Sequence, residues 1–196
     1  MSPEERDRVG KQLREALRRS RGHAGFFEWP LNRDQEEVGV LVSLFDSMEK
    51  NGTLAYGSLK SRGRGNDPPD CEATNLRGAR VAIEVTELVD GTSISAARRG
   101  EIHVADAWPR QVFLERLHKL LLAKNARYPK LKGSPYPGGY VVVVFTDEPF
   151  LTYDTIEEYL RGHIFTSLRQ ITRALLLLSY DPAHDECPYF ELAVDV

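Results

Sequence analysis

The chain has 196 residues, of which 41% are hydrophobic and 28% are charged, and this composition is typical of a globular protein with one sizeable core. Its net charge of -3 argues against a protein that coats polyanions over its whole surface, although a local basic patch is compatible with it. The two cysteines, Cys71 and Cys187, provide neither a disulfide framework nor a Cys-x-x-Cys metal site.

Nothing in the sequence predicts export or membrane insertion. The opening segment, Met1–Arg6, lacks the apolar core of a signal peptide. No stretch approaches the roughly 18 uninterrupted apolar residues that span a bilayer. We therefore expect a cytoplasmic protein that does not associate with membranes.

The chain begins with a predicted charged helix, Pro3–Arg19, which carries a narrow apolar stripe of Val9, Leu13 and Leu17. Such a stripe favours docking either onto the body of the protein or onto a second subunit, so a homodimer through this helix is one expectation. We divide the chain into this N-terminal helix, residues 1–24, and one α/β domain, residues 25–196.

A second helix is predicted from Asn32 or Asp34 to about Met48, because its apolar residues recur on one broad face. Glu37 lies at the border of that face, near the start of the helix. The simplest role for a glutamate in this position is to stabilise the N-terminal turn through its interaction with the helix dipole.

A short strand or loop, Gly52–Arg64, ends in a basic run in which glycine accompanies the cationic residues. Glycine permits close approach to a sugar-phosphate backbone, and Lys60, Arg62 and Arg64 supply positive charge. The run therefore predicts a contact with nucleic acid, and a flexible solvated loop is the alternative.

The most informative stretch joins Asp70 to an apolar strand through a turn at Asn75–Gly78. Alternation along the strand places Glu84 and Thr86 on one face and leaves a core-facing set of Val81, Ile83 and Val85. A carboxylate inside an apolar strand is costly unless a partner compensates it, and a bound metal ion is a common partner. We expect the Asp70 and Glu84 carboxylates to lie within about 6 Å of each other, as one shared divalent ion requires. The alternative is a solvated hairpin in which the acidic residues only keep the edge of the sheet soluble.

The rest of the chain predicts further helices and strands. Asp90–Asp106 is expected to be irregular and to form a flap, and a long helix follows from Pro109 to about Ala126. Tyr140–Phe145 is a continuous apolar run, as expected of a central strand covered on both faces. The last elements are a mostly helical Thr155–Leu168, a strand or helix end at Ala174–Ser179, and a short strand at Tyr189–Val194.

One lysine of the long helix lies on its apolar side. Steps of four, three and four residues place on one helix face the set Phe113, Leu117, Leu120 and Lys124. Lys119 falls on a different, solvated face. Lys124 either snorkels from the helix end and interacts with the helix dipole, or reaches toward the carboxylates predicted above.

The run Asp67-Pro68-Pro69-Asp70, the turn with Gly78 and the strand Val81–Leu88 resemble the PD-(D/E)XK nuclease superfamily. The resemblance implies an α/β fold of the restriction-endonuclease-like type, with a mixed central sheet flanked by helices. It also implies that Asp70 and Glu84 bind Mg²⁺ or Mn²⁺. The superfamily has a lysine two residues after the acidic strand residue, and Thr86 stands there in this chain.

The same resemblance assigns further roles. In several branches of the superfamily the lysine has moved to the helix after the motif strand, and Lys124 matches that arrangement. Lys124, or else the Thr86 hydroxyl, would position the attacking water. The first core helix often supplies an extra acidic ligand, for which Glu37 is the matching residue, and the Val85 carbonyl is a ligand that needs no particular side chain.

The sequence therefore predicts a divalent-metal-dependent nuclease that hydrolyses phosphodiester bonds in DNA or RNA. The first alternative is a catalytically degenerate relative that keeps the fold and binds nucleic acid or a protein, and both Thr86 and the negative net charge favour it. The second alternative is an oligomerising structural protein built on the N-terminal helix.

Overall fold

The structure is a computed structural model that describes residues 23–28, 33–63, 65–99, 101 and 106–195. The predicted N-terminal helix, the dimer contact assigned to it and the side chain of Arg64 lie outside these residues.

Six strands form one mixed sheet in which the spatial order follows the order along the chain. Strands β3, β4 and β5 run parallel, whereas β1–β2, β2–β3 and β5–β6 pair antiparallel. The expectation of an α/β fold with a mixed sheet is confirmed. The strands are β1 (Tyr56–Ser61), β2 (Cys71–Asn75), β3 (Arg80–Glu87), β4 (Tyr140–Thr146), β5 (Arg173–Leu178) and β6 (Tyr189–Leu192).

Helices cover both faces of this sheet, so that the core has two layers. One layer packs α1 (Arg33–Lys50) against the sheet, and the other packs α3 (Arg110–Asn125) and α4 (Tyr153–Leu160) against the opposite face. Every residue of β4 is buried, as its continuous apolar sequence predicts for a central strand. A short helix, α2 (Gly91–Arg98), follows β3, and a 3₁₀ turn, Tyr128–Lys130, follows α3.

The register of β3 agrees with the alternation expected from its sequence. Val81, Ile83 and Val85 pack in the layer of α1, and Ala82 packs in the layer of α3. The turn between β2 and β3 is closed by hydrogen bonds between Asn75 and Ala79, and Gly78 adopts a φ of 74°. Only glycine takes up that backbone conformation without steric cost.

Two sequence-based expectations are wrong. Residues 91–98 are helical and not irregular, because the Asp90 carboxylate caps the helix by accepting from the Thr92 backbone N–H and the Ser93 hydroxyl. The helix expected to continue to Leu168 ends at Leu160. Beyond it the chain turns at Gly162, whose φ is 70°, and Phe165 pairs with Val194 in an isolated β-bridge.

No helix among the described residues is long and apolar enough to cross a lipid bilayer.

Candidate metal centre

Asp70 and Glu84 lie side by side at the end of the β2–β3 hairpin. Cys71 pairs with Ile83 in the antiparallel register, which places the preceding Asp70 next to Glu84. The Asp70 carboxylate accepts a hydrogen bond of 2.8 Å from the backbone N–H of Val85. Glu84 is completely buried and Asp70 is nearly so, with relative exposures of 0% and 4%.

A third carboxylate, that of Asp67, completes the cluster. One oxygen of each of Asp67, Asp70 and Glu84 lies within 4.8 Å of the other two, so the predicted proximity of Asp70 and Glu84 is confirmed. Sequence reasoning missed Asp67 as a member of the cluster, although the Asp-Pro-Pro-Asp run contains it. Asp67 lies in a loop, where no periodic pattern predicts the direction of a side chain.

Lys124 reaches into this cluster from the last turn of α3. Its ammonium group contacts the Glu84 carboxylate, donates to the Val85 carbonyl at 3.0 Å and lies 3.5 Å from Asp70 Oδ2. The Tyr140 hydroxyl donates to the Lys124 carbonyl at 2.9 Å, which ties the end of the helix to the sheet. The spacing along α3 therefore predicted correctly that Lys124 approaches Glu84.

Arg127 is a second cation of the site, and the sequence reasoning did not identify it. Its guanidinium donates to Asp67 Oδ1 at 2.8 Å and lies 3.3 Å from Glu84 Oε2. Arg127 therefore links the loop carboxylate to the strand carboxylate. Arg127 lies beyond Asn125, the last residue of α3, so the helical pattern that located Lys124 does not extend to it.

The electrostatic environment of Glu84 is unusual for a glutamate. Burial raises its pKa, and repulsion from Asp70 acts in the same direction, while Lys124 and Arg127 oppose the shift. Glu84 Oε1 is buried and accepts no hydrogen bond from any described residue. A buried oxygen without a donor costs free energy, and a cation is a partner that would satisfy it.

The oxygen donors of the cluster suit a hard divalent cation. Carboxylates and backbone carbonyls are the ligands that Mg²⁺ and Mn²⁺ prefer, and the site offers three carboxylates together with the Val85 carbonyl. The unsatisfied Glu84 Oε1 provides a free ligand position within this set. The residues present therefore fit a divalent ion, and no described contact identifies which one.

Two of the predicted site residues lie at the edge of this arrangement. Thr86 is half-buried on β3, two residues beyond Glu84 on the same face of the strand. Glu37 is half-buried on α1 and is not a member of the carboxylate cluster formed by the described residues. The pKa of the Cys71 thiol is raised to about 12, mainly by burial and to a smaller extent by the negative charge of Glu37. The ligand role of Glu37 stays a prediction.

The predicted nucleic-acid contacts lie on the outer edge of the hairpin. Lys60 is exposed on β1, opposite Glu72 in the register, and the Arg62 guanidinium lies 3.4 Å from a Glu72 oxygen. The Arg62 backbone N–H donates to the Asp70 carbonyl at 2.9 Å, so the predicted basic run borders the carboxylate cluster.

Comparisons of the chain with protein-family models, with curated proteins and with solved structures returned no match.

Proposed function

We propose that this protein is a divalent-metal-dependent nuclease with a restriction-endonuclease-like fold. The observation that carries the proposal is the buried Glu84 Oε1, which has no donor among the described residues and lies in a cluster with Asp67 and Asp70. The arrangement of a β-hairpin followed by a helix and a parallel strand supports the fold assignment, because it brings Lys124 to the same carboxylates.

In this proposal Asp70, Glu84 and the Val85 carbonyl hold Mg²⁺ or Mn²⁺, and Asp67 lies close enough to join them. When bound, the ion would lower the pKa of a coordinated water and neutralise charge on the phosphate. Lys124 balances the carboxylates in the absence of the ion and positions the attacking water during hydrolysis, with the Thr86 hydroxyl as the alternative for the second task.

One observation favours a second candidate function, that of a nucleic-acid- or protein-binding module without catalysis. The Lys124 ammonium already contacts the Glu84 carboxylate, Asp70 Oδ2 and the Val85 carbonyl. These are the oxygens assigned to the metal. A lysine that permanently replaces the cation would keep the fold stable and leave the site without hydrolytic activity.

Isothermal titration with Mn²⁺, combined with cleavage assays on single-stranded DNA, duplex DNA and RNA, separates the two functions. The nuclease proposal predicts one Mn²⁺ site that is lost in Asp70→Asn and Glu84→Gln, together with metal-dependent cleavage that is lost in the same variants. Glu115→Gln, on the exposed side of α3, is the matched control and should keep both properties. Absence of Mn²⁺ binding and of cleavage in the unsubstituted protein would favour the binding module.

A further inference from the structure

Cationic side chains from separate parts of the chain converge on Glu72, a half-buried residue of β2. The Arg80 guanidinium donates to Glu72 Oε2 at 2.7 Å, and that of Arg62 lies 3.4 Å from the same oxygen. The hydrogen bond from Arg80 lowers the pKa of Glu72, with smaller contributions from the charges of Arg62 and Lys60. Several positive charges therefore surround a single carboxylate at this edge of the sheet.

The loop between α3 and β4 adds to this cluster and fixes its geometry. The Gly133 carbonyl accepts from the Arg80 guanidinium at 3.0 Å. The Lys132 backbone N–H donates to the Pro68 carbonyl at 2.7 Å, and its ammonium donates to the Gly65 carbonyl at 3.3 Å. The loop thus joins both the hairpin and the segment that leads to the metal centre. We use the name basic patch for Lys60, Arg62, Arg80 and Lys132.

The basic patch is both accessible and adjacent to the metal centre. Lys60 and Lys132 are exposed, and the side chain of Arg80 is 42% exposed. The backbone hydrogen bond from Arg62 to Asp70 connects the patch directly to the carboxylate cluster. Tyr128 follows Arg127 of the metal centre directly in the chain, and it is 41% exposed.

We propose that the basic patch binds the phosphate backbone of the nucleic-acid strand that reaches the metal centre, and that Glu72 restrains this binding. The choice of nucleic acid as the partner rests on the proposed nuclease function. Arginine guanidinium groups match phosphate geometry, and lysines add charge that does not depend on sequence. The exposed face of Tyr128 is suited to stacking with a base.

The overall charge of the protein makes this local arrangement necessary. A chain with a net charge of -3 repels a polyanion at long range, so affinity has to come from a concentrated positive surface. Glu72 neutralises part of that surface, because its carboxylate accepts a hydrogen bond from Arg80 and lies beside the guanidinium of Arg62. Removing the Glu72 charge is therefore expected to strengthen binding, which a purely structural role of these ion pairs does not predict.

Fluorescence anisotropy with labelled single-stranded DNA, duplex DNA and RNA of one sequence, measured in EDTA, tests the proposal without any contribution from the metal. We expect the double variant Lys60→Glu, Lys132→Glu to raise Kd by at least about fivefold. The slope of log K against log salt should become shallower by the amount that about two phosphate contacts contribute. Glu72→Gln should lower Kd. Circular dichroism of each variant verifies that it is folded.

Arg161→Glu is the control for a charge reversal at an exposed position outside the basic patch. Arg161 is exposed and lies near Arg110, at the opposite end of α3 from the basic patch. The Kd of the Arg161→Glu variant should therefore equal that of the unsubstituted protein. Equal Kd values for the control and the double variant, an unchanged Kd in Glu72→Gln, or equal competition by polyglutamate and by nucleic acid would each overturn the proposal.

The test separates this proposal from the nuclease function. Loss of Mn²⁺ binding or cleavage without any change in patch-dependent affinity would refute the nuclease alone. Normal metal-dependent cleavage with affinity that is insensitive to the patch would refute the basic patch alone.

Discussion

At the scale of single residues, Lys124 has two effects on the site that oppose each other. Its ammonium compensates the buried charges of Asp70 and Glu84, and it also contacts the oxygens that a divalent ion would use. A buried lysine among carboxylates is stable only while those partners remain, because an isolated buried charge is costly. Substitution of this one residue therefore affects metal binding and catalysis separately.

We expect Lys124→Ala to abolish metal-dependent cleavage while Mn²⁺ affinity is retained or increased, because the variant removes a cation that competes for the same oxygens. Single-turnover cleavage and isothermal titration measure the two effects independently. Lys119→Ala, an exposed lysine of the same helix, is the control and should leave both unchanged. Cleavage at the normal rate in Lys124→Ala would contradict a catalytic role for this residue.

The raised pKa of Glu84 gives the site a defined dependence on pH. Since burial favours the protonated carboxyl, Glu84 takes up its proton at a higher pH in the folded protein than in the unfolded chain. As the pH falls through the folded pKa, Mn²⁺ affinity should decrease. The contribution of Glu84 to the stability of the metal-free fold should increase over the same range, because the penalty for its buried charge disappears.

Parallel titrations with Mn²⁺ and with urea, over a pH series from neutral to mildly acidic, measure both trends. Because Glu84→Gln is expected to lose the Mn²⁺ site, it serves as the control for the urea titration, in which it should remove the pH dependence that Glu84 causes. If Mn²⁺ affinity stays constant as the pH falls to about 4.3, the pKa of an ordinary glutamate, then Glu84 is not the titrating ligand.

At the scale of elements, regular periodicity determined which parts of the site the sequence could predict. The alternation of β3 located Glu84, and the helical spacing of α3 located Lys124, because both residues lie on elements with a repeating pattern. Asp67 lies in a loop and Arg127 lies just after a helix, so neither belongs to a repeating pattern. Only tertiary contacts define their positions. Helix α2 was missed because its first residues, Gly91 and Thr92, are weak helix formers.

The turn before β4 provides a test of how the neighbouring elements fit together. A Cβ atom at Gly138 would lie 2.8 Å from the carbonyl oxygens of Ala79 and Arg80, next to the start of β3. Backbone atoms cannot move aside as a flexible side chain can, so Gly138→Ala should lower the free energy of unfolding by roughly 1–3 kcal/mol.

Urea unfolding followed by circular dichroism measures this change. Gly91→Ala is the matched control, because apart from its chain neighbours and the backbone of its own helix no described atom lies within 4 Å of its new Cβ. An equal effect of the two substitutions would show that the close approach of the β4 turn to β3 is not required for stability.

At the scale of the whole molecule, the two cysteines report on the packing of the sheet against α1 at two separate positions. Cys71 on β2 and Cys187 before β6 are buried free thiols. Burial raises the pKa of both thiols, that of Cys71 to about 12, so neither forms a reactive thiolate at neutral pH in the folded state.

We therefore expect both thiols to react slowly with a disulfide reagent in the native protein and rapidly in urea. Mass spectrometry of the labelled peptides distinguishes the two positions, and a small model thiol provides the reference rate. Similar rates for both cysteines would indicate cooperative opening of the sheet. Fast labelling of Cys71 in the native state would contradict the packing of β2 beneath α1.

The order of the strands along the chain has a consequence for how the site assembles. Asp67, Asp70 and Glu84 belong to the contiguous β1–β3 meander, whereas Lys124 and Arg127 come from the long crossover to β4. Closing a long loop costs more conformational entropy than closing a short one. The short hairpin therefore gathers the three carboxylates, and the longer connection supplies the two cations that offset their mutual repulsion. We therefore expect a divalent ion bound at the cluster to raise the stability of the whole fold, because it adds positive charge to carboxylates that the hairpin alone brings together.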